Sequence, residues 1–223
     1  MNRNSDDPDS AFGRSLDDVF RALADHHRRR ILSLVRARDG DLSESDLASL
    51  LVAEESGKPL LDVTDNEHQR VHTQLRHVHL PKLAETDLLR WNEARGTVAT
   101  GLLGAAAPIL DGASADADSG ELDGVLSALA VERRRTLLSV LREKDALEPG
   151  ELAERVAVRE VRRGAGESTP TPTDDEIASV RASLRHSHLP KLAGVGLVDR
   201  DEDGVSFDGH PAFDPRWLHL ADE

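Results

Sequence analysis

The 223-residue sequence predicts a mainly α-helical protein with small β-hairpins (α+β), built as two tandem copies of one domain. Three observations predict this fold class. Long segments of the sequence repeat, apolar residues recur at helical spacing within each copy, and a glycine-containing turn separates two strand-like runs near each copy's end.

The repeat is clearest in a ten-residue segment. Residues 75–84 read LRHVHLPKLA and recur at 184–193 as LRHSHLPKLA, with a single difference. A second match, 16–24 with 122–130, has an offset of 106 instead of 109, which indicates a short insertion in a loop. We therefore predict a disordered N-terminal tail at 1–14, a first copy at 15–102, a flexible linker at 103–120, a second copy at 121–213 and a C-terminal tail at 214–223.

Three helices are predicted at the start of the first copy. Ser15 is the expected N-cap of the first, and Ser43 that of the third. The second is expected to end at Asp39-Gly40, where glycine suits a C-cap. A polar loop is expected from 56 to about 62. The apolar residues that recur at helical spacing are Leu16, Val19, Phe20 and Leu23, then Ile31, Leu32, Leu34 and Val35, then Leu47, Leu50 and Leu51.

The fourth helix has a sharp predicted start. Thr64 and Glu67 form a capping box, and Thr173 and Glu176 repeat it in the second copy. Pro81 is expected to kink this helix because proline interrupts the backbone hydrogen bonds. The residues expected on its buried side are Val71, Leu75 and Val78, with Val180, Leu184 and Ser187 as their counterparts.

A hairpin follows in each copy, at 88–99 and 197–207. Three or four helices followed by a β-hairpin predict a winged helix-turn-helix domain in each copy. The loop before the fourth helix is about ten residues long in the first copy and longer in the second. This departs from the 3–4-residue turn of a typical helix-turn-helix.

Two motifs carry a family resemblance. Residues 22–32, ALADHHRRRIL, resemble the opening of ArsR-like winged-helix regulators, and residues 78–89, VHLPKLAETDLL, resemble the exit of their recognition helix. The string HVHLPKLA is most similar to an uncharacterised haloarchaeal family of this fold, sometimes found in tandem. The resemblance covers most of both copies and implies a regulator that binds double-stranded DNA.

The predicted outer face of the fourth helix carries side chains suited to base edges and phosphates. Five side chains lie on this face, at positions 69, 70, 73, 76 and 77. In the second copy, alanine or serine replaces the first three of them, and the hairpin carries the acidic residues Asp199, Asp201, Glu202 and Asp203. We therefore expect the first copy to be the main DNA reader; the alternative is an ordinary solvated face. The predicted DNA-binding residues are Gln69, Arg70, Thr73, Arg76, His77, Arg90, Arg95, Arg185 and His186.

The charge balance is strongly acidic, with 28 basic against 42 acidic residues and a net charge of −14. This excludes a generic polyanion-binding protein. Only four basic residues are lysines, aspartate is abundant and cysteine is absent, a combination typical of extreme halophiles. The first copy carries only −3 of the net charge, so acidity alone does not exclude DNA binding. A DNA-binding protein in molar salt relies on base contacts and shape, because salt weakens phosphate contacts.

Metal, cofactor and enzyme functions are not expected. The absence of cysteine excludes thiolate zinc sites, and no catalytic or nucleotide-binding motif is present. His68 and His72 lie one helical turn apart, but Ile177 and Arg181 replace them in the second copy, which favours structural histidines. His79 is expected to bond a carbonyl freed beside Pro81. No apolar run is long enough for a membrane span, which predicts a cytoplasmic protein without a membrane partner.

The sequence leaves two hypotheses. The first is a DNA-binding transcriptional regulator in which the two copies form an intramolecular pseudo-dimer, or in which the chain forms a homodimer. The second is a protein-interaction module on a winged-helix scaffold without direct DNA binding. The run Arg28-Arg29-Arg30 spreads around its helix and is not expected to form one basic patch; Arg28 and Arg29 are expected to pair with nearby acids or to contact backbone.

Overall fold

The computed structural model describes residues 15–38, 40–112, 119–144, 146–163, 170–201 and 204–220. It is mainly helical, with small antiparallel sheets, and it divides into two compact units at 1–110 and 111–223. The two units correspond to the two predicted copies. The predicted N-terminal tail, 1–14, lies outside the described residues.

The first two helices of the first unit begin at side-chain caps. Helix α1 spans Leu16–Leu23, and the Ser15 hydroxyl accepts the Asp18 N–H at 3.3 Å, as predicted. Helix α2 spans His26–Arg36, and the Asp25 carboxylate caps it by accepting the Arg28 N–H at 3.0 Å. Helix α2 ends before the predicted Asp39-Gly40. Gly40 has a φ of +96°, a left-handed value that favours glycine, whereas Asp39 is outside the described residues.

Helix α3 spans Glu44–Ser56 and has the predicted N-cap, Ser43. It ends at Gly57, whose φ of +62° forms a left-handed C-cap. The following loop contains a 3₁₀ turn at Leu60–Asp62 that the sequence pattern does not predict. Leu61 in this turn is 97% exposed, so the turn contributes nothing to the core.

Helix α4 spans Asp65–Gln74 and begins at the predicted capping box. It continues into a π turn at Leu75–His79 and then into α5, Leu80–Glu85. The Leu80 N–H bonds the Leu75 carbonyl, five residues back, immediately before Pro81. Proline lacks an N–H and its ring collides with a carbonyl in regular α-geometry, so the wider turn accommodates it.

The π turn reverses one core prediction. Val78 is 54% exposed, whereas Leu80 and Leu83 are fully buried. The prediction that Val78 faces the core is wrong because regular α-periodicity does not continue through a π turn. The apolar face instead runs from Leu75 to Leu80, a spacing of five residues. The second unit repeats this arrangement, with Ser187 exposed and Leu184, Leu189 and Leu192 buried.

The predicted hairpin of the first unit forms a three-stranded antiparallel sheet together with one extra short strand. The strands are β1, Leu42–Ser43, β2, Leu89–Asn92, and β3, Thr97–Thr100, in the order β1-β3-β2. Trp91 pairs with Val98, and Val98 pairs with Leu42 on its other side. The chain therefore places the start of α3 directly beside the hairpin.

The second unit has the same order of elements. A two-residue strand is replaced here by a single bridge between Leu147 and Val205. The segment predicted as a C-terminal tail contains a 3₁₀ turn at Pro215–His219, and its Trp217 is 1% exposed, in contact with the Phe213 ring.

The elements of the second unit are α7, Ser119–Leu129; α8, Glu132–Leu141; α9, Pro149–Arg163; α10, Asp174–Ser183; a π turn, Leu184–His188; α11, Leu189–Ala193; β4, Val198–Asp201; and β5, Gly204–Phe207. Helix α6, Ala106–Gly112, lies within the predicted linker.

Arg28 and Arg29 bind backbone carbonyls, as predicted. Arg29 is 7% exposed and its Nη1 donates to the Leu23 carbonyl at 2.7 Å, at the end of α1. Arg135 makes the same 2.7 Å bond to the Leu129 carbonyl at the end of α7. Arg28 donates to the Ala22 carbonyl as well. These guanidinium groups satisfy carbonyls that a helix C-terminus leaves without a partner.

Candidate nucleic-acid interface

The outer surface of α4 and its π turn carries four of the predicted DNA-binding side chains. Gln69, Arg70, Thr73 and His77 are all exposed. The Thr73 hydroxyl donates to the Gln69 carbonyl at 2.8 Å, so its proton is used within the helix and its lone pairs remain available. The Arg70 side chain makes no hydrogen bond or ion pair with the residues that the structure describes. Its guanidinium is therefore available to an external acceptor.

Arg76, the fifth predicted residue of this helix, is held within the unit. Its side chain is 33% exposed, and its Nη1 lies 3.0 Å from Glu44 Oε2 and 3.3 Å from Glu44 Oε1. Its Nη2 contacts Glu93 Oε1 in the hairpin turn at 3.2 Å. The guanidinium carbon lies 5.9 Å from the centre of the Trp91 ring, within cation–π range.

Glu44 is the residue around which these contacts assemble. It is 3% exposed, and its Oε1 accepts the Trp91 Nε1–H at 2.7 Å. His72 Nε2 lies 3.5 Å from its other oxygen. The Glu44 backbone N–H donates to the Gly96 carbonyl at 2.9 Å. Sequence reasoning did not identify Glu44 or its link to Trp91, and only its position after an N-cap serine indicated that it begins a helix.

The hairpin presents the two remaining predicted residues of the first copy. Arg90 is exposed on β2, and its Nε donates to the Thr100 carbonyl at 3.1 Å. Arg95 lies in the turn between the strands, exposed, and its guanidinium has no partner among the described residues. The Arg76–Glu93 contact places this turn next to the π turn that ends α4. Both elements present exposed arginines, Arg70 on α4 and Arg90 and Arg95 on the hairpin.

In the second unit, the predicted residues Arg185 and His186 are exposed on the π turn. The rest of the arrangement differs from the first unit. Pro149 begins α9 where Glu44 begins α3, and Arg200 pairs with Val205 where Trp91 pairs with Val98. Asp199 and Asp201 are on β4, whereas Glu202 and Asp203 lie outside the described residues. The described part of this hairpin thus adds negative charge.

The helix histidines have separate partners. The His68 and His72 rings stack with their centres 5.8 Å apart, and His68 Nε2 lies 3.1 Å from both the hydroxyl and the carbonyl oxygen of Ser45. Within the described ranges, no group of three or more histidine, aspartate or glutamate side chains is placed to hold a metal ion.

His79 is oriented differently from the prediction. Its Nδ1 is buried and bonds no carbonyl or other acceptor among the described residues; it lies 3.9 Å from the Asp25 carboxylate at the start of α2. The expected bond to a freed carbonyl is wrong, because the ring faces a neighbouring element instead of its own helix. Burial lowers the pKa of His79 below its usual value, which favours the neutral imidazole.

One family matches the chain, described as "Domain of unknown function (DUF7344)". It matches residues 20–99 and again residues 126–206, which are the two repeats. No curated protein and no solved structure matches the chain. Among the helices that the structure describes, none is both long enough and apolar enough to cross a membrane.

Proposed function

The chain belongs to this family of domains of unknown function and carries two copies of its domain; on that premise we propose that it is a DNA-binding transcriptional regulator. The first copy is the main reader of double-stranded DNA in this proposal. Helix α4 enters the major groove, and the β2–β3 hairpin lies against the adjacent backbone.

The order of elements supports a winged helix-turn-helix fold, as in ArsR-like regulators. Helix α2 is followed by β1, α3, α4 and the β2–β3 hairpin, and the sheet order is β1-β3-β2. In a helix-turn-helix, the second helix of the pair is the one that reads bases, which assigns that role to α4. The first and the second units share this order, with a single bridge in place of β1 in the second.

The observation that carries the proposal is the pairing of two exposed, unbonded arginines on neighbouring elements. Arg70 on α4 and Arg95 in the hairpin turn have no partner among the described residues, and the Arg76–Glu93 contact joins the hairpin turn to the π turn that follows α4. Gln69 and Thr73 are exposed on α4 as well and add further hydrogen-bonding groups for base edges. A helix with donors for base edges beside a hairpin with a cation for phosphate is the combination that groove readers use.

The decisive experiment is selection of bound duplexes from a randomised double-stranded library in molar KCl. We expect one sequence to be enriched, and Arg70→Ala to weaken binding to it by tenfold or more, since a good base contact contributes about 1–3 kcal/mol. Arg162→Ala is the matched control, an exposed arginine near the end of α9 that is not among the predicted DNA-binding residues, and is expected to change the affinity much less. Failure of the full chain to enrich any duplex would refute the proposal.

The stoichiometry on the selected duplex tests the partner arrangement. One chain of 24.3 kDa per duplex indicates an intramolecular pseudo-dimer of the two copies, whereas two chains indicate a homodimer. Light scattering of the complex measures this directly, with the free chain as its reference.

A protein-interaction role is the second candidate, and the second unit favours it. Its α10 presents the small exposed residues Ala178, Ser179 and Ala182, and its hairpin carries Asp199 and Asp201. Such a surface has little to offer to bases and repels phosphate. Affinity purification of the full chain from nuclease-treated halophilic extract is expected to recover a stoichiometric protein partner if this role is the main one.

A further inference from the structure

Glu44 is a buried carboxylate whose partners come from other parts of the first unit. It begins α3 and is 3% exposed. A buried carboxylate costs free energy unless it is paired with an opposite charge and hydrogen-bonded, so Glu44 requires partners at specific positions around it. Arg76 provides the charge from the π turn, and Trp91 provides a hydrogen bond from β2.

The geometry links three elements through one side chain. Both Glu44 oxygens lie within 3.3 Å of Arg76 Nη1, and one of them accepts the Trp91 Nε1–H at 2.7 Å. The second terminal nitrogen of Arg76, Nη2, donates to Glu93 Oε1 in the hairpin turn. Glu44 and Arg76 therefore join three elements to one another: helix α3, the π turn that follows α4, and the hairpin.

The second copy provides an internal comparison. Its counterparts of Glu44 and Trp91 are Pro149 and Arg200, and Pro149 has no carboxylate to accept such bonds. Arg185, the counterpart of Arg76, is exposed there instead of one-third exposed. Among the described residues, this link is present in the copy that carries the exposed Gln69, Arg70 and Arg95 and is absent from the other.

We propose that Glu44 is a positioning residue of the DNA-reading surface: through Arg76 and Trp91 it fixes the hairpin relative to α4 and withholds Arg76 from phosphate. This inference rests on the proposed function. Specific recognition gains from elements that are already placed for the ligand, because less order has to be created on binding. A released Arg76 would instead add a phosphate contact that carries no sequence information.

Glu44→Gln tests the link with almost no change of shape. The amide oxygen still accepts the Trp91 bond, but the ion pair with Arg76 is lost. We expect binding to non-selected duplex to tighten, with the slope of log affinity against log salt steeper by about 0.9 for one added phosphate contact. The ratio of affinities for selected and non-selected duplex is expected to fall about tenfold or more.

Glu93→Gln is the matched control. It removes the other carboxylate from the same arginine and causes the same change in net charge, but its side chain is 66% exposed and it leaves the Glu44 bonds intact. We expect the affinity ratio to stay within about twofold, because exposed ion pairs contribute little. A ratio that falls equally in both variants would overturn the proposal, since net charge would then account for the loss.

Trp91 emission reports the link independently of DNA. It is obtained by subtracting the spectrum of the matching Trp91→Phe variant, which removes the contribution of Trp217. We expect Glu44→Gln to shift Trp91 emission to longer wavelength, because an Arg76 released from Glu44 also leaves the Trp91 ring and lets water reach it, and Glu93→Gln to leave it unchanged. Arg76→Gln removes the same ion pair from its more exposed partner and is used if Glu44→Gln fails to fold. We expect it to lower the ratio of affinities for selected and non-selected duplex without a steeper dependence of log affinity on log salt.

The outcomes separate this inference from the proposed function. If the unaltered chain enriches no duplex, the proposed function fails and the inference fails with it. If a duplex is enriched but Glu44→Gln keeps the affinity ratio and the Trp91 emission of the unaltered chain, the positioning role is wrong while DNA binding stands.

Discussion

At the scale of single residues, the two capping boxes show how one added contact changes a carboxylate. Glu67 and Glu176 each bond the hydroxyl and the N–H of the preceding threonine. Glu67 also accepts a hydrogen bond from Lys58 Nζ at 2.6 Å, which is the largest cause that lowers its pKa to about 2. The pKa of Glu176 is lowered too, by its bonds to Thr173 alone.

This comparison predicts a specific effect of Lys58→Met. We expect the pKa of Glu67 to rise towards that of Glu176, because the remaining threonine bonds are the same in both boxes. A carboxyl titration by NMR measures both values in one sample, and Glu176 is its internal control. An unchanged Glu67 pKa would show that the lysine bond is not formed in solution.

The lowered pKa of Glu67 predicts how the stability of the first unit changes with pH. A carboxyl whose pKa is depressed in the folded state stabilises that state above its unfolded pKa, near 4.5, and loses this contribution as the pH falls towards 2. The stability of the first unit is therefore expected to decline over this window. Urea unfolding at several pH values measures the decline, which should be smaller in Lys58→Met.

At the scale of elements, the α4–π–α5 segment shows where sequence periodicity misleads. A helical wheel with regular α-helical geometry places Val78 on the buried side with Val71 and Leu75. In the structure, the π turn exposes Val78 and buries Leu80. The signal was present in the sequence as the five-residue spacing from Leu75 to Leu80 ahead of Pro81. The helix starts were predictable because caps depend on neighbouring residues, whereas a π turn depends on the packing on both sides of it.

The exposed and buried residues of this segment predict opposite responses to truncation. Val78→Ser, which introduces the residue found at Ser187, is expected to change the free energy of unfolding by less than about 0.5 kcal/mol. Leu80→Ala is expected to cost about 2–5 kcal/mol, because it leaves a cavity in the core. Chemical unfolding of both variants checks this, and a larger loss for Val78→Ser would restore the regular α-helical interpretation.

At the scale of the whole molecule, the net charge of −14 acts against compactness through repulsion between like charges. Several exposed ion pairs oppose this, such as Arg30–Glu54 and Arg155–Glu151, but each contributes only about 0–1 kcal/mol. Salt screens both effects. With 42 acidic residues against 28 basic ones, the repulsion is the larger of the two.

We therefore expect the thermal midpoint to rise as KCl increases from about 0.1 M to about 2 M, most steeply at the lower concentrations, because the Debye length falls from about 10 Å to about 3 Å by 1 M. Scanning calorimetry of the full chain measures the change. A sucrose series separates screening from exclusion of solute, since sucrose carries no charge. A midpoint that falls with KCl would show that the ion pairs dominate instead.

The two copies, the N-caps Ser15, Ser43 and Thr64, and the hairpins were predictable from the amino-acid sequence, because repeats, caps and turns depend on residues close together in the chain. The exposed residues of α4 were partly predictable from the same local pattern. The tertiary structure alone decided what Arg76 does, since its partner Glu44 is 32 residues away in sequence and Trp91 is 47 residues from Glu44. A helical wheel shows on which side of the helix Arg76 lies. Only the packing of α3 and the hairpin against that side shows that Arg76 bonds Glu44 and Glu93 within the unit.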